Sequence, residues 1–131
     1  LKKLKERLPH VDTFKADALT FLKGMPTNRF DVVSMIDGLE HLKKEDALAC
    51  LEEMKRVCKG HVLVFTQDEY VRNEPHNARD IEGSDESQRH LSENTIEEVT
   101  SHGYRVLETS NQVSQHGDYF KEVMYVYDKV K

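Results

Sequence analysis

Two uninterrupted apolar runs constrain this chain more than anything else in it. FDVVSMI (Phe30–Ile36) and HVLVFT (residues 61–66) are short and rich in β-branched and aromatic residues, so both read as buried strands. Between them Leu48, Leu51, Met54 and Val57 or Cys58 recur at three-to-four spacing. That spacing predicts an amphipathic helix, with Gly60 as its C-terminal cap. A strand, a helix and a strand in this order imply a parallel pair.

The flanking sequence extends the pattern. Leu1, Leu4 and Leu8 share one helical face, which Pro9 ends. VDTFKAD (residues 11–17) alternates apolar and polar residues as a short strand would, and ALTFLKG is a helical turn closed by Gly24. Residues 67–90 are polar and irregular, which predicts a long functional or disordered loop. Thr95 and Glu98 are spaced as a capping box for a helix that Gly103 closes. YRVLETS and YFKEVMYVYD then read as a terminal antiparallel hairpin around a turn at His116, Gly117 and Asp118. The fold class expected is α/β, a mostly parallel sheet with helices on both faces and the hairpin at one end.

Size and charge narrow the function. A chain of 131 residues builds one core rather than two. No apolar run approaches the roughly 20 residues of a membrane-spanning helix. A net charge of −5 argues against a nucleic-acid partner held through its phosphates. Cys50 and Cys58, eight apart on the expected helix, would lie about 12 Å apart along its axis, beyond the roughly 7 Å that a disulfide spans. Free thiols and a charged opening without an apolar signal segment imply a cytoplasmic protein. The first residue, Leu1, falls in what reads as the middle of a helix, so the sequence is expected to be a fragment of a longer protein.

In open sheets of this kind ligands gather at the carboxyl ends of the strands. Asp17, Asp37, Glu40, His41 and the loop after Thr66 all follow strands and should share one rim. A carboxylate and an imidazole together can take a proton from an attacking hydroxyl or amine, which makes His41 and Asp37 the candidate catalytic pair. The same groups, with His90 as a distant ligand, also suit a divalent metal. The reading adopted assigns no metal. Glu40, Tyr70 and His90 are placed on the substrate side of the rim.

In this order and spacing the motifs resemble the class I S-adenosylmethionine-dependent methyltransferases. FKADALTFL is similar to the family's third strand and its terminal acidic residue. RFDVVSMIDGLEHL resembles the fourth strand and the Glu-His loop after it. LEEMKRVCKGHVLVFT and SENTIEEVTSHGYRVLE are similar to the helix and strand pairs that follow. The resemblance implies a partial Rossmann-like fold, with residues 1–131 as a single incomplete domain holding strands three to seven. The family's first strand, its Gly-rich loop and the acidic residue that holds the ribose have no counterpart here.

That resemblance implies S-adenosylmethionine as cofactor. Asp17 would accept from the adenine amino group, the Ala18 N–H would face a ring nitrogen, and Ile36 would wall the adenosyl pocket. The plainer role for Asp17 is to cap the helix after it. Glu40 could equally stabilise its own loop. The implied function is methyl transfer to an acceptor the sequence does not identify; the alternative is a degenerate, non-enzymatic α/β partner module.

Overall fold

The computed structural model describes residues 1–69, 89–114 and 116–130. The first apolar run forms β1 (Phe30–Ile36), within the bounds expected of it. The helical repeat forms α3 (Lys44–Val57), after two short helices α1 (Lys2–Arg7) and α2 (Ala18–Lys23). The second run extends to β2 (Cys58–Gln67), and α4 (Ile96–Ser101), β3 (Arg105–Val113) and β4 (Tyr119–Asp128) complete the chain.

The helix α3 buries Ala47, Cys50, Leu51, Met54 and Val57 along one stripe. Each large side chain so buried contributes about 1.5–3 kcal/mol. Glu45 and Asp46 in the first turn and Lys55 and Arg56 in the last complement the helix dipole. Beyond the last turn the Lys129 amine donates to the Lys55 and Arg56 carbonyls at 2.9 and 3.3 Å, which satisfies helix-end acceptors. Tyr104 adds a bond across the core, its hydroxyl donating to the Leu51 carbonyl at 2.7 Å. Burial pushes that phenol well above its ordinary range.

The sheet runs β1-β2-β4-β3. β1 and β2 are parallel, with Val33 opposite Val62 and Met35 opposite Val64. β2 and β4 are antiparallel, as are β3 and β4. The α/β class and the terminal hairpin are as expected, but antiparallel pairings predominate. The reason is local. Residues 11–17 alternate as a strand should, yet form none, because no described strand lies beside them to complete a ladder. Phe14 is 65% exposed and rests on Phe21 at 5.4 Å between ring centroids. β1 is therefore an edge of the described sheet.

Helices on both faces were also expected. Among the described residues the core lies on one face, where Val62, Val64, Val123 and Tyr125 meet residues of α2, α3 and α4. On the other face Val32 and Ile36 are each 54% exposed, and α1 buries none of its residues.

Gly60 is a further correction. Helix α3 stops at Val57, and Cys58 already has extended backbone, so Gly60 lies inside β2 rather than at a helix cap. Phe30 pairs with Cys58 and Val32 with His61, so β2 carries one extra residue there, a bulge. A Cβ on Gly60 would lie 2.3 Å from the Asp31 carbonyl oxygen. The residue is glycine because the neighbouring backbone fills that space. Both cysteines are buried and free, Cys58 on the strand rather than the helix.

Candidate functional site

β1 and β2 point the same way, so Ile36 and Gln67 end at one rim of the sheet. There the chain turns sharply. The Asp37 N–H donates to the Phe65 carbonyl at 2.9 Å, which holds the residue against β2. Its φ is 52°, a left-handed conformation that Asp adopts more readily than most residues. A short 3-10 turn, Leu39–His41, follows and buries Leu39 and Glu40.

Glu40 is 3% exposed. A carboxylate so buried needs partners. The Thr66 hydroxyl, at the end of β2, donates to its Oε2 at 2.6 Å. The other oxygen, Oε1, lies 3.6 Å from Nε2 of His41. The His41 Nδ1–H donates to the Arg89 carbonyl at 3.3 Å, which leaves Nε2 as the ring's lone-pair nitrogen in the neutral form.

Residues 89–94 are sewn onto this turn through the main chain. The Leu91 and Ser92 N–H groups donate to the Glu40 carbonyl at 2.7 and 3.3 Å, and the Ser92 hydroxyl donates to the Leu39 carbonyl at 3.2 Å. The His90 ring consequently sits 4.8 Å from the His41 ring, centroid to centroid. Ligand atoms of Glu40, His41 and His90 all lie within 4.8 Å of one another. The Lys44 amine, at the start of α3, pairs with Glu98 in α4 and also donates to the Glu93 carbonyl, which fixes the same segment from its far side.

The capping role foreseen for Asp17 is present. Its Oδ2 accepts from the Thr20 N–H and from the Thr20 hydroxyl, each at 2.9 Å. The backbone bond from Thr20, aided by its hydroxyl, holds this carboxyl below its ordinary value. Ala18 opens α2 and lines a shallow cavity of about 290 Å³ with Phe21, Phe30, Val33 and Met35. Met35 leads directly to Ile36 and Asp37, both exposed.

The structure thus unites Glu40, His41 and His90 in one cluster, while Asp17 and Ala18 stand beside a separate apolar cavity against β1. Tyr70 lies outside the described residues. Sequence reasoning missed Thr66, whose only signal was its position as the last residue of an apolar run. It also missed the main-chain docking of residues 89–94, which leaves no mark in side-chain pattern.

An open α/β sheet with a polar rim beyond its parallel strands defines the class of protein. Residues 1–66 match the family described as methyltransferase domain, and the chain belongs to that family, the class I S-adenosylmethionine-dependent methyltransferases. Its fold is similar to that of the YcgJ protein from Bacillus subtilis, with a TM-score of 0.65 at 12% identity over 99% of this chain and 76% of that one. It is also similar to a SAM-dependent methyltransferase from Archaeoglobus fulgidus, with a TM-score of 0.56 at 15% identity over 95% and 72% of the two chains. A third likeness is to magnesium protoporphyrin IX methyltransferase from Synechocystis with bound SAH, with a TM-score of 0.56 at 16% identity over 97% and 57%. At these identities the likeness is one of fold. No curated protein matches the chain. Among the described residues no helix is long and apolar enough to cross a membrane.

Proposed function

We propose that this chain serves S-adenosylmethionine-dependent methyl transfer as part of the family's domain, its four described strands corresponding to strands four to seven and residues 11–17 standing, unpaired, where the third would lie. The family match over residues 1–66, which ends on the rim itself, is the observation that carries this reading.

The residues on that side suit an adenosyl group. The cavity beside Ala18 is apolar and, at about 290 Å³, offers room for part of a cofactor rather than all of it. Both bonds from Thr20 fall on one oxygen of Asp17, and the carboxylate stays exposed, so it can still accept from an adenine amino group. The Ala18 N–H, in the first turn of α2, has no acceptor within the helix and can serve a ring nitrogen. Ile36 presents an apolar side chain, 54% exposed, as a wall.

When bound, the cofactor supplies an electrophilic methyl group on a sulfonium whose leaving group departs neutral. The protein's task is therefore alignment of the acceptor and exclusion of water. A base is required only for a weakly acidic hydroxyl or a protonated amine. His41, with its Nδ1–H committed to Arg89, can receive that proton on Nε2. Asp37, exposed in the preceding turn, is the second member of the assigned pair, while the carboxylate beside the ring is that of Glu40. Glu40, His90 and Tyr70 are assigned to the acceptor side.

A second reading is a degenerate partner module without activity, and the burial of Glu40 against Thr66, a structural use of the rim's carboxylate, is the observation on its side. Calorimetry with S-adenosylhomocysteine on the product of the complete reading frame separates the two. Methyl transfer requires binding, weakened at least tenfold by Ile36→Asp. A folded protein that releases no heat at millimolar ligand refutes it, and unchanged affinity in both Ile36→Asp and Asp17→Ala refutes the assigned residues.

A further inference from the structure

We infer that Glu40, His41 and His90 form a binding site for one divalent transition-metal ion of the zinc or cobalt type. The inference rests on the cluster's own geometry and needs no methyl donor.

The donor set comes first. Two imidazole nitrogens and one carboxylate oxygen suit borderline ions such as zinc, cobalt or nickel better than calcium or magnesium, which take oxygen ligands. Spacing comes second. Two ligands at about 2.1 Å from an ion, at a tetrahedral angle, lie about 3.4 Å apart. Glu40 Oε1 and His41 Nε2 stand at 3.6 Å, too long for a good hydrogen bond between them yet close to that separation. The full set spans no more than 4.8 Å, which a modest rotation of the His90 ring closes.

The surroundings add the strongest support. Histidines that hold metals donate their second ring N–H to a carbonyl or carboxylate, and metal-binding carboxylates are themselves hydrogen-bonded. His41 gives its Nδ1–H to the Arg89 carbonyl, and Glu40 takes the Thr66 hydroxyl at 2.6 Å on the oxygen that faces away from His41. The Leu91 N–H, bonded to the Glu40 carbonyl, fixes the residue next to His90. The main chain around His90 and around Glu40 and His41 is therefore brought together before any ion arrives, leaving only the His90 ring to turn. Glu40 is buried while both histidines are half-buried, so an ion has a carboxylate at its back and a way in from solvent.

Three protein ligands leave a tetrahedral ion one position for an outside oxygen or nitrogen. With the ion bound, the His41 Nε2 lone pair is held by the metal, and acidification of a heteroatom placed there takes over the part of the base.

The test is titration of the metal-free protein with Zn²⁺ against a chromophoric chelator, repeated with Co²⁺ to read its visible d–d bands. The expected result is one ion per chain. His90→Ala should weaken binding at least about 100-fold with an unchanged far-UV spectrum, since losing even a group that only hydrogen-bonds a ligand costs about 10–100-fold. Thr66→Val should weaken it about tenfold. His102→Ala, which removes the partner of Glu52 on another surface, should leave it unchanged. The inference is overturned if the unaltered protein binds no stoichiometric ion, if His90→Ala binds as tightly, or if His102→Ala abolishes binding. None of these outcomes bears on S-adenosylhomocysteine affinity, so the two proposals fail separately.

Discussion

Replacing Gly60 by alanine tests how β1 is held against β2, and with it the rim that β1 carries. The added Cβ would stand 2.3 Å from the Asp31 carbonyl oxygen. An ordinary carbon–oxygen contact is about 3.3 Å, so the strands must part by about 1 Å at the bulge. Ladder bonds near 2.9 Å would then pass beyond hydrogen-bond range. Losing one or two of them costs about 1 kcal/mol each. Overpacking against backbone adds about 1–3 kcal/mol. The sum is about 2–5 kcal/mol. The Gly60 carbonyl also accepts from the Lys129 N–H at 2.9 Å, so the end of β4 should loosen with it. In urea, with a slope of about 2 kcal/mol/M, the unfolding midpoint should fall by about 1–2.5 M. Gly60→Asn makes the test specific. At a left-handed helix cap asparagine nearly matches glycine, whereas here it meets the same carbonyl and should be at least as harmful as alanine. Midpoints within about 0.5 M of the unaltered protein for both variants would refute the close approach.

Other outcomes follow from single contacts. Asp17→Ala removes the cap of α2 and should cost about 1 kcal/mol at neutral pH. Because Thr20 holds the Asp17 carboxyl below its ordinary 3.8, its contribution is complete above about pH 4 and is lost as pH falls through the folded value. The stability gap between Asp17→Ala and the unaltered protein should therefore narrow on acidification, and a gap constant from neutral pH to pH 3 contradicts the capping bond. Cys50 is fully buried, and burial raises its thiol to about 11. It should resist a disulfide reagent at pH 8 until the chain unfolds, and rapid labelling of Cys50 in the folded protein would contradict that burial.

The parts of this fold that are legible in the sequence are those decided by neighbours along the chain. β1 is bounded correctly because its apolar, β-branched run ends abruptly at Asp37. The cap of α4 is legible because Thr95 and Glu98 meet within one turn, the Glu98 N–H donating to the Thr95 hydroxyl at 3.2 Å. Residues 11–17 are misread because a strand requires a partner that its own alternation does not guarantee. Gly60 is misread because glycine serves helix ends and close backbone approach alike, and only the position of Asp31 decides between them. In the candidate site, Glu40 and His41 stand out as an adjacent polar pair after an apolar run. Their union with His90 depends on amide bonds to the Glu40 carbonyl, which any residue type could make.

Those amide bonds free one part of the chain from another. The histidine ring at 90 takes its position from the peptide groups of Leu91 and Ser92, gripped at their own end by the Glu40 turn. Because main-chain groups carry that grip, the side chain at position 91 can change without moving the residue beside it.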